Sequence, residues 1–210
     1  MNEWTEYAKF TAGLLGIVNP IGAIPVFVGF TASWPIRERR HTSFIASLSV
    51  AIILGIALLT GEWILKFFGI SIASFRVGGG ILILLIAISM LQARIGPEKQ
   101  TREEVTDAAE KKSIAIVPIG IPLLAGPGAI STIVVQAHRG PTLMHYVILG
   151  AEILFVAGVV WLCLRLAHVI ASALGRTGIN VVTRIMGLII AAIGVEFIAN
   201  GLRQLFPALN

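Results

Sequence analysis

The sequence predicts an all-α integral membrane protein whose six transmembrane helices form two inverted repeats of three helices each. Three observations predict this class: an apolar composition, six long apolar segments, and paired motifs at a constant distance along the chain. Hydrophobic residues make up 56% and charged residues 13% of the 210 residues, whereas soluble domains carry about 25% charged residues. This composition is typical of a protein that lies in a lipid bilayer.

Six segments of the chain are long and apolar enough to cross a bilayer, which needs about 20 residues of helix. The first and fourth are interrupted by proline and glycine, and the fifth and sixth each contain a glutamate. We therefore predict that helices 1 and 4 are interrupted at the membrane midplane. The segments are 8–30, 42–61, 70–92, 113–137, 143–168 and 181–202.

The distribution of lysine and arginine predicts how these helices are oriented. The side of the membrane that holds both termini carries four such residues, and the opposite side carries ten. Cytoplasmic loops are enriched in lysine and arginine, so both termini are predicted to lie outside the cytoplasm. Segment 93–112 mixes acids and bases without an apolar face, and we interpret it as a charged cytoplasmic loop between the two repeats, 1–92 and 113–210.

Two pairs of similar motifs indicate the internal repeat. NPIGAI at 19–24 resembles GPGAIST at 126–132, and RVGGGILILLIA from Arg76 resembles RIMGLIIAAIG from Arg184. The members of each pair are 106 to 108 residues apart, and this constant offset favours a repeat over chance similarity. Because three spans are an odd number of crossings, the second repeat is predicted to enter the membrane upside down.

The interrupted helices predict a binding site for an anionic group. Asn19 is a good N-cap and Pro20 fits the first helical position, and Gly126 and Pro127 can play the same two parts. Each break would then start a half-helix whose free N–H groups and positive dipole end attract a carboxylate. The alternative is a pair of proline kinks that only shape helix packing. The predicted substrate-binding residues are Asn19, Pro20, Gly22, Pro25, Gly126, Pro127, Gly128, Ser131 and Thr132.

Apart from Lys9 and Arg165, which are counted above with the two sides of the membrane, four charged residues lie within the predicted spans, where an ion must be paired, hydrated or neutralised. Arg76 and Arg184 are near the ends of their spans, so their long side chains can reach the interface. Glu152 and Glu196 fall in the outer half of the membrane, at depths that allow pairing with Arg76. Two interpretations of Glu196 stay open, a structural pair that links the repeats and a site that carries a coupling proton. All four are candidates for ion coupling.

No motif in the sequence predicts an enzyme, a cofactor or a metal site. The serine of GPGAIST is outside a GxSxG elbow, and the histidines are scattered near predicted interfaces without metal-ligand spacing. We predict that these histidines are solvated. The single cysteine, Cys163, excludes an intrachain disulfide, and basic residues without interleaved aromatic residues argue against nucleic-acid binding.

The two interrupted motifs resemble a known family. NPIGAIPVF in the first span and GPGAIST in the fourth, with six spans and a charged central loop, are similar to the MarC family of bacterial inner-membrane proteins over essentially the whole chain. The resemblance implies a multi-pass inner-membrane permease, which would make both termini periplasmic. Some family members are described as transporters of small neutral amino acids. Glu196, in GVEFIANG, departs from the neutral amide that is usual in the family.

The sequence therefore predicts a secondary transporter of small solutes, above all small neutral amino acids. Its predicted partners are a lipid bilayer, a small-molecule substrate and a coupling ion that is either a proton or sodium, while a homo-oligomer is left open. The alternative is a non-transport structural or regulatory membrane protein whose glycine-rich faces serve helix packing. A transporter needs a polar cavity at the breaks, whereas a scaffold fills that space with side chains.

Overall fold

The computed structural model describes residues 3–92, 124–140 and 142–207, and the regular structure in these ranges is helical. The predicted loop at 93–112 and the start of the predicted fourth span, 113–123, lie outside the described residues. The helices of the described ranges are α1 (Glu3–Val18), α2 (Pro20–Thr31), α3 (Ile36–Phe67), α4 (Ile72–Leu91), α5 (Pro127–Ala137), α6 (Leu143–Arg165) and α7 (Ala167–Leu205).

Five helical stretches are long and apolar enough to cross a membrane: Trp4–Thr31, which α1 and α2 form together, and helices α3, α4, α6 and α7. Helix α5 is a shorter apolar helix in the second half of the predicted fourth span. Large apolar side chains such as Trp63, Leu85 and Phe155 are exposed along these helices, as expected of a surface that faces lipid. The prediction of an all-helical, multi-pass membrane protein is confirmed, and six helical spans fit the structure.

Helix α7 bends near its start. Gly175 has φ +61° and ψ 179°, a backbone conformation that glycine adopts without the penalty of a Cβ. The residues before Gly175 therefore form a short separate stretch, and the long membrane-spanning part of α7 begins after it. The bend lies between the basic residues Arg165, at the end of α6, and Arg176.

Helices α4 and α7 pack along a seam of glycine and alanine. A Cβ on Gly80 would come within 2.8 Å of the Gly194 carbonyl oxygen, and a Cβ on Gly194 within 3.1 Å of the Gly80 carbonyl oxygen. The two backbones are thus close enough to need small residues. The contact recurs every seven residues on both helices. Residue numbers increase along α4 while those of the facing residues in α7 decrease, so the two helices are antiparallel. The facing pairs are Ala73 with Gly201, Gly80 with Gly194, and Ala87 with Gly187.

The short helices α2 and α5 occupy matching positions in the bundle. Helix α2 packs against α6 and α7, and α5 packs against α3 and α4. Helix α3 also packs against α6, and α4 against α7. Helix α2 therefore contacts the two helices that follow α5 along the chain, and α5 contacts the two helices that follow α2. Two repeats related by a two-fold axis would make contacts in this pattern.

Candidate functional site

The first membrane span is broken at one residue, Asn19. Its φ of 48° and ψ of 63° lie in the left-handed region, which asparagine tolerates better than most residues with a Cβ. The Asn19 amide donates to the Leu15 carbonyl oxygen at 2.9 Å and ends α1. Asn19 Oδ1 accepts from the Gly22 amide at 3.0 Å and caps α2. The same residue thus ends one helix and begins the next, with Pro20 at the first position of α2.

The other residues of the first motif are explained by this corner. A Cβ on Gly22 would overlap the side-chain amide of Asn19, so the cap requires glycine three residues later. Pro20 has no N–H to leave unpaired in the first turn. Pro25 lies inside α2 and its side chain is exposed, so it faces away from the break. Of the four predicted residues in this motif, Asn19, Pro20 and Gly22 form the corner.

The second break precedes α5. Gly126 is extended, with φ −70° and ψ 173°, and Pro127 follows at the first helical position. The Gly126 carbonyl oxygen accepts from the amides of Ala129 and Ile130 at 3.0 and 3.2 Å. Because Gly126 has no side chain, α5 starts without a side-chain cap. The Gly128 N–H takes no part in these bonds, so among the first N–H groups of α5 it is the one that a ligand can use.

The hydroxyl groups of Ser131 and Thr132 bond within α5. Ser131 donates to the Pro127 carbonyl oxygen and Thr132 to the Gly128 carbonyl oxygen, each at 2.8 Å. Each hydroxyl hydrogen is therefore used by the helix, but each oxygen can still accept a hydrogen bond. The sequence placed these groups among the donors to an anion, and the geometry suits them better as acceptors.

The two breaks lie side by side. A Cβ on Gly128 would lie 3.4 Å from Cγ2 of Ile17, so the first turn of α5 touches the last turn of α1. At the other end of these helices, Arg139 Nη1 and Glu6 Oε2 are 3.8 Å apart. Helices α1 and α5 are therefore antiparallel, and α2 and α5 start at one level and run in opposite directions. We call the end of the bundle that holds Glu6 and Arg139 the terminal side.

A cavity of about 350 Å³ leads from the terminal side toward these breaks. On α1 its lining runs from Glu6 to Ile17, a stretch of helix about 16 Å long. On the other side it runs from Arg139 back to Thr132 on α5. We call this space the terminal-side cavity; α4 and α7 complete its walls. Its volume lies within the range of about 300 to 1,000 Å³ that is usual for small-molecule sites.

Arg76 and Glu196 place opposite charges on the walls of the terminal-side cavity. Arg76 is only 7% exposed, and its Nε has no hydrogen-bond partner among the described residues. Glu196 is exposed, and the two side chains make no ion pair with each other in the part of the chain that the structure describes. A buried guanidinium without a carboxylate partner suits an anionic solute in the cavity. Arg184 is exposed on α7 and is not among the described residues that line the terminal-side cavity.

Glu152 lies apart from the terminal-side cavity, where α6 meets α1. The residue is 9% exposed, and its Oε1 lies 2.9 Å from the Thr11 hydroxyl. Oε2 is buried and has no hydrogen-bond partner among the described residues. Glu152 thus contacts a hydroxyl group on α1. Its predicted depth in the membrane had also allowed an ion pair with Arg76, and the structure shows no such pair among the described residues.

His145 belongs to the same interface between α1 and α6. Its Nδ1 lies 2.7 Å from the Tyr7 hydroxyl, and its Nε2 lies 2.9 Å from the Gln136 carbonyl oxygen. The side chain is 7% exposed, so the prediction that the histidines are solvated is wrong for His145. The seven-residue spacing of His145 and Glu152 places both on one face of α6, and this is the signal by which the sequence could have indicated the pair.

Comparison with known proteins identifies the family. The MarC family model, described as a MarC family integral membrane protein, matches residues 4–206. The chain belongs to the MarC family. The UPF0056 membrane protein YhcE of Escherichia coli (strain K12) is 45% identical over 207 residues, which cover 99% of this chain and 96% of that protein. The UPF0056 membrane protein MJ1677 of Methanocaldococcus jannaschii is 40% identical over 193 residues, 91% of this chain and 93% of that protein. No solved structure matches the chain.

The MarC family match confirms the resemblance that the two interrupted motifs indicated. It includes both breaks and every described wall of the terminal-side cavity. The names of these relatives describe membrane proteins and name no substrate. The function of this MarC family chain is therefore inferred from the geometry of the breaks and the cavity.

Proposed function

We propose that this MarC family protein is a secondary transporter of small solutes that carry a carboxylate, above all small neutral amino acids. The observation that carries the proposal is the terminal-side cavity, which extends from the terminal side to Ile17 and Thr132, the lining residues nearest along the chain to the two helix breaks. Within a bilayer, non-helical backbone is tolerated where it lines a cavity or is buried in protein. Paired half-helices at one level, reached by a cavity from one side, are features of a transporter open to that side.

The proposed solute site lies at the deep end of the terminal-side cavity. The helix N-termini nearest to this end are those of α2 and α5, after Asn19 and Gly126, and their positive dipole ends attract the solute carboxylate. Arg76 supplies a full positive charge on the cavity wall. The Thr132 oxygen can accept from an ammonium group, and Ile17 and Ile193 suit a small apolar side chain.

Alternating access follows from the inverted repeat that we infer for this fold. The exchanged contacts of α2 and α5 and the antiparallel packing of α4 and α7 support two inverted repeats. In such a protein the two halves exchange their conformations during transport. The terminal-side cavity would then close, and an equivalent cavity would open on the opposite side.

We also propose that the protein lies in a bacterial inner membrane with both termini in the periplasm. The excess of lysine and arginine in the opposite loops, ten residues against four, supports this orientation. Alkaline phosphatase fused after Asn210 should be active, because that enzyme folds in the periplasm, whereas green fluorescent protein fused there by the same route should stay dark. A bright fluorescent fusion together with an inactive phosphatase fusion contradicts the orientation.

The transport function is tested by flux of labelled glycine and alanine into liposomes that contain the purified full-length protein. We expect saturable uptake above that of empty liposomes. Unlabelled glycine inside the liposomes should accelerate this uptake, because a carrier returns loaded rather than empty. The control is the same liposomes with labelled glucose, which has no carboxylate and should enter at the rate seen without protein.

The alternative, a non-transport structural or regulatory role, is supported by the glycine seam between α4 and α7. That seam explains close helix packing, but it does not account for the polar cavity that extends from the terminal side to Ile17 and Thr132. Folded, monodisperse protein that moves neither amino acid, nor any of a wider panel of small carboxylates, would contradict transport and favour this alternative.

A further inference from the structure

We propose that Glu152 carries the coupling proton of transport and that Thr11 transmits its protonation state to α1. This inference rests on the proposed transport function and assigns its coupling ion and the group that binds it. The observations that carry it are the burial of Glu152, the shared hydrogen of Thr11, and the position of α1 between Glu152 and the terminal-side cavity.

The burial of Glu152 favours its neutral form in this conformation. Helix α6 begins at Leu143, so Glu152 lies about 13 Å along the helix, too deep for its short side chain to reach an interface. One carboxyl oxygen is buried without a hydrogen-bond partner among the described residues. An ionised carboxylate in such a place is far more costly than a protonated one, so a proton on Glu152 stabilises the conformation described here.

The two hydrogen bonds of Thr11 distinguish the protonation states of Glu152. The Thr11 hydroxyl oxygen lies 3.1 Å from the Tyr7 carbonyl oxygen and 2.9 Å from Glu152 Oε1. A hydroxyl has one hydrogen to donate. Both contacts are hydrogen bonds when the Glu152 carboxyl O–H donates to Thr11 and Thr11 donates to the Tyr7 carbonyl. When Glu152 loses its proton, the Thr11 hydrogen turns to the carboxylate and the bond within α1 is lost.

His145 lies on the same helix as Glu152, on the side toward Glu6 and Arg139. It lies seven residues before Glu152, about 10.5 Å along one face of α6. Its Nε2 faces a carbonyl oxygen, so Nε2 carries a hydrogen and Nδ1 of the neutral ring accepts from the Tyr7 hydroxyl. It also lines a second cavity of about 500 Å³, together with Glu6 and Arg139 of the terminal side. The His145 imidazole, whose two nitrogens can each donate or accept a hydrogen bond, thus lies between that second cavity and Glu152.

Helix α1 links the proton site to the solute cavity. One face of α1, from Glu6 to Ile17, lines the terminal-side cavity. The neighbouring face contacts α6, where Tyr7 and Thr11 meet the side chains described above. The helix ends at Asn19, a single left-handed residue about which it can pivot relative to α2. A change in the Thr11 bond therefore acts on the helix that forms one wall of the cavity.

The charged side chains of the helices around Glu152 lie away from its carboxyl group. Helix α2 has no charged residue, and near α5 Arg139 faces Glu6. On α3, Glu62 pairs with Lys66 and lies 3.5 Å from His138, and the remaining charges of α3 lie at its opposite end, at 37–41. Lys9 of α1 and Glu196 of α7 line the terminal-side cavity, and His168 of α7 follows the far end of α6. Thr11 meets Glu152, His145 lies next along its face of α6, and Tyr7 contacts both Thr11 and His145.

The test uses Glu152→Gln in liposomes with two assays. Exchange of labelled for unlabelled glycine at equal pH on both sides needs no net proton movement, and we expect the variant to retain it. Glycine accumulation driven by a pH gradient needs release of the proton, and we expect it to fall to the level of empty liposomes. Glu62→Gln, the same change on a partly exposed glutamate that pairs with Lys66, should retain both activities.

A second pair of variants separates proton binding from its transmission. Thr11→Val removes the hydroxyl that meets Glu152, and Thr60→Val removes an exposed hydroxyl that donates within its own helix. Infrared spectroscopy reports a protonated carboxyl group by its C=O stretch. We expect this band in wild type and in both threonine variants and its loss in Glu152→Gln. Gradient-driven accumulation should be lost in Thr11→Val and retained in Thr60→Val.

Each outcome decides a separate point. Gradient-driven accumulation that persists in Glu152→Gln overturns the proton site, and accumulation that persists in Thr11→Val overturns transmission through α1. If wild type shows neither exchange nor accumulation, the transport function fails. The infrared band then still decides whether Glu152 holds a proton, and its absence at every pH at which the protein stays folded would overturn the inference independently.

Discussion

Asn19→Leu is expected to lower glycine exchange at least about tenfold while the protein still inserts and folds. Leucine in the left-handed conformation of Asn19 costs about 1–2 kcal/mol, and loss of the cap on Gly22 costs about 0.5–2 kcal/mol. Pro20 prevents a continuous helix, because its ring would clash with the preceding turn. The break therefore persists as an ordinary proline kink, and α2 no longer starts where α5 starts. The measurement is the initial rate of exchange per folded protein.

Three further variants show whether the corner itself is responsible. Asn19→Gly keeps the left-handed conformation and loses only the cap, so its exchange rate should lie between wild type and Asn19→Leu. Gly22→Ala places a Cβ against the Asn19 side chain and should resemble Asn19→Leu, whereas Gly29→Ala in the same helix meets nothing within 4 Å and should resemble wild type. Wild-type exchange in Asn19→Leu would show that the left-handed corner has no part in transport.

The corner at Asn19 was predictable because its causes are local. An N-cap, a proline at the first helical position and a glycine three residues after the cap lie within four consecutive residues, and the structure confirms that Asn19 caps α2. The long apolar segments are local in the same sense, and they predicted the helical spans. The orientation of the Ser131 and Thr132 hydroxyl groups was less evident, because a hydroxyl in a helix can bond to its own backbone or to a ligand.

The contacts of the buried charged residues depend on which helices pack against each other, and the sequence alone does not show which helices are neighbours. Glu152 meets Thr11 across 141 positions of the chain, and His145 meets Tyr7 across 138. An apolar segment with one glutamate gives no indication of whether the glutamate faces an arginine, a hydroxyl group or a cavity. The offset between the two halves indicated a repeat, but it did not show that α1 would lie between the solute cavity and the α6 side chains.

Arg76→Gln is expected to weaken glycine binding by at least about tenfold, because a hydrogen bond to a charged group contributes about 1.5–3 kcal/mol and Arg76 is the buried cation of the terminal-side cavity. Glutamine still fits the space and can donate a hydrogen bond, but it has no charge to attract a carboxylate. Arg76→Lys retains the charge but lacks the planar guanidinium group, so its affinity for glycine should lie between those of wild type and Arg76→Gln. The measurement is the dissociation constant of glycine by calorimetry.

Thermal stability distinguishes a solute-binding role of Arg76 from a structural one. A buried charge without a partner among the described residues destabilises the fold, so ligand-free Arg76→Gln should unfold at the same temperature as wild type or higher. Excess glycine should raise the unfolding temperature of wild type more than that of Arg76→Gln, since a ligand stabilises a protein in proportion to the logarithm of its concentration relative to the dissociation constant. Arg203→Gln, an exposed arginine in the last turn of α7, is the matched control and should respond to glycine as wild type does. A lower unfolding temperature of ligand-free Arg76→Gln, with glycine affinity intact, would instead make Arg76 a residue that holds α4 in place.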